Sequence, residues 1–177
     1  MKETPKFKFA VVERIKSLLP SSIEDKELTL EDFMPKRMKS KDTGYDARSA
    51  ESTLEIQPYS YFKIRLGIRM FAPEGWWIRI NPRSGLFINN HINTLYGIVD
   101  ENFCAELCLC GQFLPDKKEN KSFKSLIIQF GQRICQLVPV KRQDMDIDNV
   151  TNEEIEQLFK ERNDPRGTSG FGGSGIK

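Results

Sequence analysis

Along much of this chain, apolar and polar residues alternate in short runs. Phe62, Ile64, Leu66, Ile68 and Met70 are interleaved with Lys63, Arg65 and Arg69, the period-two pattern of a half-buried strand. Lys6-Phe-Lys-Phe-Ala-Val-Val12 alternates and then turns apolar, which predicts a first strand. Pro73-Glu-Gly75 predicts a turn, with Trp76–Ile80 returning as the hairpin partner of the 62–70 strand. Asn81-Pro-Arg-Ser-Gly-Leu86 ends that strand, and Leu86 to Ile92 reads as a short helix. Strand-like runs follow at Tyr96–Asp100, Phe103–Cys110, Leu126–Phe130 and Ile134–Val140. Polar Ser21–Glu31 reads as a surface connection with a helical turn, and Pro115–Lys121 as an exposed hairpin tip. Thr151-Asn-Glu-Glu154 has the form of a capping box, predicting a short helix over Glu153–Lys160. Short strands with regular turn signals and little helix predict an all-β sandwich or barrel.

Composition narrows the function classes. The chain has 177 residues, enough for one domain with a real core. Its 27 basic and 25 acidic side chains leave a net charge of +2, which gives no general pull toward nucleic acid or membrane. The basic run Lys36–Lys41 reads as a solvated face. No apolar run approaches a membrane span, and the N-terminus lacks the apolar stretch of a signal peptide. The expectation is a cytosolic or nuclear protein. Cys104, Cys108 and Cys110 would share one face if they lay on a strand. Without a paired C-x-x-C knuckle or a nearby histidine, they and Cys135 read as buried, reduced small hydrophobes rather than zinc ligands.

Polar clusters interrupt the strands at Gly44-Tyr-Asp46, Pro82-Arg-Ser-Gly85, Gly97-Ile-Val-Asp100 and Gly131-Gln-Arg-Ile-Cys-Gln136. A fifth segment, Arg166–Lys177, holds five of the chain's 12 glycines around Phe171. Glycines admit close approach of backbone N–H groups to phosphate oxygens, an arginine fork grips a terminal phosphate, and a lone Phe stacks on a flat ring. No G-x-x-x-x-G-K-[ST] loop is present, which disfavours a P-loop NTPase.

In order and spacing these five segments resemble the motifs of the trimeric dUTP pyrophosphatases (dUTPases). The matching stretches are Thr43–Ala50, Pro82–Leu86, Gly97–Glu106, Gly131–Leu137 and Arg166–Gly175, and the resemblance covers about residues 35–177. It implies an all-β, jelly-roll-like distorted β-barrel of the β-clip type, assembled as a homotrimer with a C-terminal arm. Residues 1–41 are then an N-terminal strand and extension, 42–160 the barrel core, and 161–177 a mobile glycine-rich lid. Family logic favours extended chain where the capping box favours helix, and the sequence leaves both open. Each active site would draw motifs one, two and four from one subunit, the third from a neighbour and the arm from the third.

The implied reaction is hydrolysis of dUTP to dUMP and pyrophosphate with Mg²⁺. Such an enzyme limits uracil incorporation into DNA and supplies dUMP for thymidylate synthesis. Asp100 takes the position of the base that activates water for attack on the α-phosphorus. Asp46 acts through water or by orienting other groups, and Arg83 balances the acidic centre. Ser84, Gly85, Gln136, Arg166, Gly167, Thr168 and Ser169 would hold the phosphates. Thr94, Gly97 and Ile98 would read uracil from their hairpin, Phe103 would pack on the deoxyribose, and Phe171 would cover the base. No direct protein ligand to Mg²⁺ is implied, since triphosphate and water complete its shell. Tyr45, Leu86, Ile98 and Leu137 read as packing, and Arg133 as structural or interfacial.

The chain departs from the family pattern at Thr43 (usually Ala), Phe103 (Tyr), Ala105 (Gly) and Gln132 (Asp), and Thr94-Leu-Tyr96 is bulkier than the norm. The dCTP deaminases share fold and trimer, but they place a catalytic Glu where this chain has Cys110. A non-catalytic nucleotide sensor on the same scaffold is disfavoured by the intact Asp46, Arg83, Asp100 and Arg166.

Overall fold

A computed structural model describes residues 4–23, 26–115 and 124–162. It divides the chain into two compact units, Met1–Gln143 and Asp144–Lys177. Of the predicted 115–121 tip only Pro115 is described, and of the predicted 161–177 lid only Glu161 and Arg162; the rest of both lies outside the described residues.

The first unit is almost entirely β. Its largest sheet has four strands in the order β10-β8-β13-β4: Gly97–Val99, Trp76–Pro82, Arg133–Lys141 and Tyr45–Arg48. A second sheet orders β6 (Tyr61–Arg65), β11 (Cys108–Phe113) and β9 (Ile92–Thr94). Two-stranded ladders join β1 (Lys8–Val11) to β7 (Ile68–Phe71) and β5 (Thr53–Ile56) to β12 (Leu126–Gln129). The polar 21–31 connection forms a minimal ladder, β2 (Ser22–Ile23) with β3 (Lys26–Glu27), followed by a 3-10 turn at Leu30–Phe33. A five-residue helix, α1 (Arg14–Leu18), follows β1.

One core serves these sheets. Ile64, Leu66, Ile68, Ile78, Ile80, Leu109, Ile128, Ile134 and Leu137 are buried in it. The N-terminal segment contributes Ile15, Leu28 and Phe33 to the same core, so it is not a loose appendage. Arg14 reinforces that attachment by donating to the Ala50 carbonyl at 2.6 Å and pairing with Glu106 at 2.5 Å.

Three sequence expectations change. The alternation from Phe62 to Met70 is real in burial, but it belongs to two strands, β6 and β7, in different sheets. The break falls at Gly67, whose φ of +71° disfavours side chains and where a Cβ would meet Ile15 at 2.8 Å and Ala50 at 2.9 Å. Likewise, β8 is not the hairpin partner of the strand before it. The 73–75 turn carries the chain into another sheet, where β8 pairs with β10 and β13. Finally, the strand bearing the cysteines starts only at Cys108. Cys104 is exposed, Cys108 and Cys110 are partly buried, and Cys135 alone among the four is fully buried. Burial pushes the thiol of Cys135 well above its ordinary value, and that of Cys108 upward too.

The second unit contains α3 (Asn152–Arg162). Its start is the predicted capping box. Glu154 N–H donates to Thr151 Oγ1 at 3.2 Å, and Thr151 N–H donates to Glu154 Oε2 at 2.7 Å. Sequence alone leaves helix and extended chain open here, and the structure is helical.

Candidate active site

The site is organised by the four-stranded sheet. Antiparallel pairing places Asp46 of β4 opposite Gln136 of β13, and Gln136 opposite Asn81 of β8. These three residues therefore form one row on one sheet face. Gly44 lets the row close up, because a Cβ there would lie 2.8 Å from Gln136 Cβ.

Asp46 is the buried charge of the row, with its side chain only 5% exposed. Three donors surround it. Gln136 Nε2 donates to Oδ1 at 3.1 Å, Arg133 Nη1 donates to Oδ2 at 3.3 Å, and Arg83 Nε stands 3.7 Å from Oδ1. A buried carboxylate needs such compensation, since desolvation of an unpaired charge is costly. Arg83 is held in turn by its backbone N–H to the Ile134 carbonyl at 3.4 Å and by its guanidinium to the Arg133 carbonyl at 3.4 Å.

Directly after Arg83 the chain enters α2 (Ser84–Asn90), with Arg83 as its N-cap residue in extended conformation. The helix spans slightly earlier residues than the predicted 86–92 and stops at His91, which adopts a left-handed conformation. Ser84 is exposed and follows the arginine of the Asp46 cluster. Gly85 has open space beside it, where an added Cβ would meet only Asn89, at 3.7 Å. The structure thus brings Asp46, Arg83, Ser84, Gly85 and Gln136 into one neighbourhood. It adds Arg133, which sequence alone marks as structural or interfacial.

The other predicted residues gather at the far edge of the sheet. Thr94 ends β9 and pairs with Gly111 of β11, whereas Gly97 begins β10 and pairs with Ile80 of β8. The short connection between them therefore bridges two sheets, pinned by Leu95 N–H to the Cys110 carbonyl at 3.0 Å. Leu95, Tyr96 and Ile98 are all about two-thirds or more exposed, at 67%, 75% and 68%. Asp100 follows β10 and is exposed, and Phe103, 41% exposed, closes the turn by donating its N–H to the Asp100 carbonyl at 3.1 Å.

The two groups do not meet within one chain. Asp46 and Asp100 lie three strand spacings apart across the sheet, about 14 Å, and four residues apart along it, about 13 Å. Their separation is therefore roughly 20 Å. Arg166, Gly167, Thr168, Ser169 and Phe171 lie outside the described residues. Among the described residues, no group of three or more His, Cys, Asp or Glu side chains could hold a metal ion, and no helix is long and apolar enough to cross a membrane.

A family model described as dUTPase matches residues 31–175. The deoxyuridine 5'-triphosphate nucleotidohydrolase of Swinepox virus (strain Kasza) is 30% identical over 144 residues, covering 81% of this chain and 90% of the viral protein. The protein of the same name from Candida albicans is 32% identical over 132 residues, covering 75% of this chain and 74% of the yeast protein. Among solved structures, the dUTPase of Staphylococcus bacteriophage 80alpha with dUPNHPP superimposes with a TM-score of 0.71 at 24% identity, covering 98% of this chain and all of that one. A variant dUTPase of phage phi11 of S. aureus, described with a coordinated structural Mg(II) ion, gives a TM-score of 0.62 at 20% identity, covering 83% of this chain and 97% of that one.

Proposed function

The chain belongs to the dUTPase family, and from that premise we infer that it hydrolyses dUTP to dUMP and pyrophosphate at sites shared between subunits of a homotrimer. One observation carries the shared-site reading. The phosphate-side cluster around Asp46 and the exposed Asp100 occupy opposite edges of one sheet, roughly 20 Å apart. A single triphosphate cannot touch both in one chain, but copies arranged around an axis can bring one edge of one subunit to the other edge of the next.

Asp100 accepts a proton from water as that water attacks the α-phosphorus. The bond from the α-phosphorus to the oxygen bridging it to the β-phosphate breaks, and pyrophosphate leaves with the electron pair. The exposed position of Asp100 past the end of β10 suits this role. Arg83 and Arg133 supply positive charge beside the phosphates while Asp46 holds their guanidinium groups in place. Ser84 offers a hydroxyl, Gly85 a backbone N–H and Gln136 its amide to phosphate oxygens. Mg²⁺ on the triphosphate would further offset charge in the transition state. Asp46, already accepting from Gln136 and Arg133 and paired with Arg83, fits contact with that ion through water rather than direct ligation.

The base is read by backbone groups of the Thr94–Ile98 connection, Phe103 packs on the deoxyribose, and the segment that follows α3, with Arg166 and Phe171, closes over the nucleotide as a lid. The testing experiment is pyrophosphate release from dUTP, dTTP, dCTP and UTP. Selective turnover of dUTP is expected, and equal hydrolysis of all four overturns the uracil-specific reading. Ammonia release from dCTP would instead identify a deaminase.

A further inference from the structure

Building on the assignment of Asp100 as the base, we propose that Glu101 and Arg142 are positioning residues that clamp the Asp100 turn in its working place. The strand leading to Asp100 is short, Gly97–Val99. The Phe103–Asp100 backbone bond closes the turn but ties it to nothing else. Glu101 supplies that tie. Its Oε2 accepts the Gly75 N–H at 2.6 Å, and its Oε1 accepts Arg142 Nη1 at 2.9 Å. Arg142 completes the ring by donating its backbone N–H to the Gly75 carbonyl at 2.8 Å.

Each member of the ring stands at the end of a different strand. Gly75 precedes β8, Glu101 follows β10, and Arg142 follows β13. These three strands are adjacent in the sheet. One carboxylate therefore ties together three neighbouring strand ends, and it belongs to the residue next to Asp100. Trp77, Ile98, Asp100, Glu101 and Arg142 line the same cavity, so the clamp borders the place where the reaction is assigned.

Exposure separates this role from a general structural one. The Arg142 and Glu101 side chains are 48% and 33% exposed, and ion pairs so open to solvent contribute little to folding stability. Misplacement of a reacting group is different, since displacement by about 1 Å can cost up to about a hundredfold in rate. The clamp should register in turnover and scarcely in stability.

The test uses all 177 residues. Glu101→Ala is expected to lower kcat about tenfold. KM for dUTP should stay within about twofold and the melting temperature within about 2 °C. A non-hydrolysable dUTP analogue should still bind with unchanged stoichiometry per chain, which a partly unfolded preparation would not show. Glu101→Gln, which keeps an acceptor for the Gly75 N–H, should recover most of the loss. Arg142→Gln should cost about threefold, and the double variant should be no worse than Glu101→Ala alone, as expected for members of one network.

Wild-type kcat in Glu101→Ala, or a loss matched by an equal loss of binding sites, overturns the clamp. If Glu101→Ala does not fold, Glu101→Gln and Arg142→Gln decide, and wild-type turnover in both overturns it. Asp100→Asn, assayed alongside, separates the two levels of the proposal. Full activity in Asp100→Asn removes the base assignment itself. An inactive Asp100→Asn beside a fully active Glu101→Ala removes the clamp alone.

Discussion

Asp46 and Asp100 sit on or beside strands of the same sheet, yet the fold surrounds them differently. Asp46 is buried, accepts hydrogen bonds from the Gln136 amide and the Arg133 guanidinium, and pairs with Arg83 at 3.7 Å. Asp100 lies exposed past the end of a three-residue strand. A carboxylate ringed by such groups is well suited to hold cations in a fixed arrangement. An open one can meet water. The contrast is what the proposed division of labour rests on, orientation for the first and proton transfer for the second.

The strongest challenge to this contrast is replacement of the open carboxylate. Asp100→Asn should reduce kcat by about 10²–10⁴, the usual contribution of a positioned base. Its urea-unfolding midpoint should match that of the parent. Full steady-state activity would show that the proton goes elsewhere.

Mixing tests the separation itself. Asp100→Asn and Arg83→Ala chains, each inactive alone, should regain activity when denatured together and refolded as mixed trimers. If a site takes its base from one subunit and Arg83 from another, random assembly gives ½ × ½, about a quarter of the sites, both intact groups. No recovery in mixed trimers would place the two residues in one subunit's site.

The buried member should respond in stability. Asp46→Ala leaves Arg83 and Arg133 without their shared carboxylate, and urea unfolding should show a loss of about 1–3 kcal/mol. An unchanged midpoint would mean the cluster does not hold the β4–β13 edge together.

The smallest effect concerns a carboxylate that belongs to neither group. The Lys26 ammonium, with the Thr29 backbone and hydroxyl, lowers the Asp32 pKa from 3.8 to about 2. A depressed folded-state value means stabilisation that is present above the unfolded-state value and lost as pH falls toward about 2. Asp32→Asn should therefore flatten the acid limb of stability between pH 3.8 and about 2, followed by urea unfolding at each pH. An unaltered limb would remove the Lys26–Asp32 pair from the account.

What can be read from sequence divides by range. The α3 capping box is legible because Thr151 and Glu154 satisfy each other within one turn. The burial of Phe62, Ile64, Leu66, Ile68 and Met70 is legible because side chains alternate whatever the strand pairs with. The change of sheet at Gly67 is not, since it depends on Ile15 and Ala50 packing against the glycine. Nor is the pairing of β8 with β13, which joins residues more than fifty positions apart. At the site, ordered motifs point to Asp46, Arg83 and Gln136. Arg133 escapes because its reach to Asp46 depends on the register shift between Arg133 and Cys135, which no local pattern announces.

Helix α3 has a consequence for distance. Its 11 residues rise about 1.5 Å each, so the segment is about 16 Å long. The same residues fully extended would span about 36 Å. Choosing helix over strand thus withdraws roughly 20 Å of span from whatever follows Arg162. The helix acts as a ruler. Inserting one residue in it would turn its last residue by about 100° about the helix axis while lengthening the segment by only about 1.5 Å.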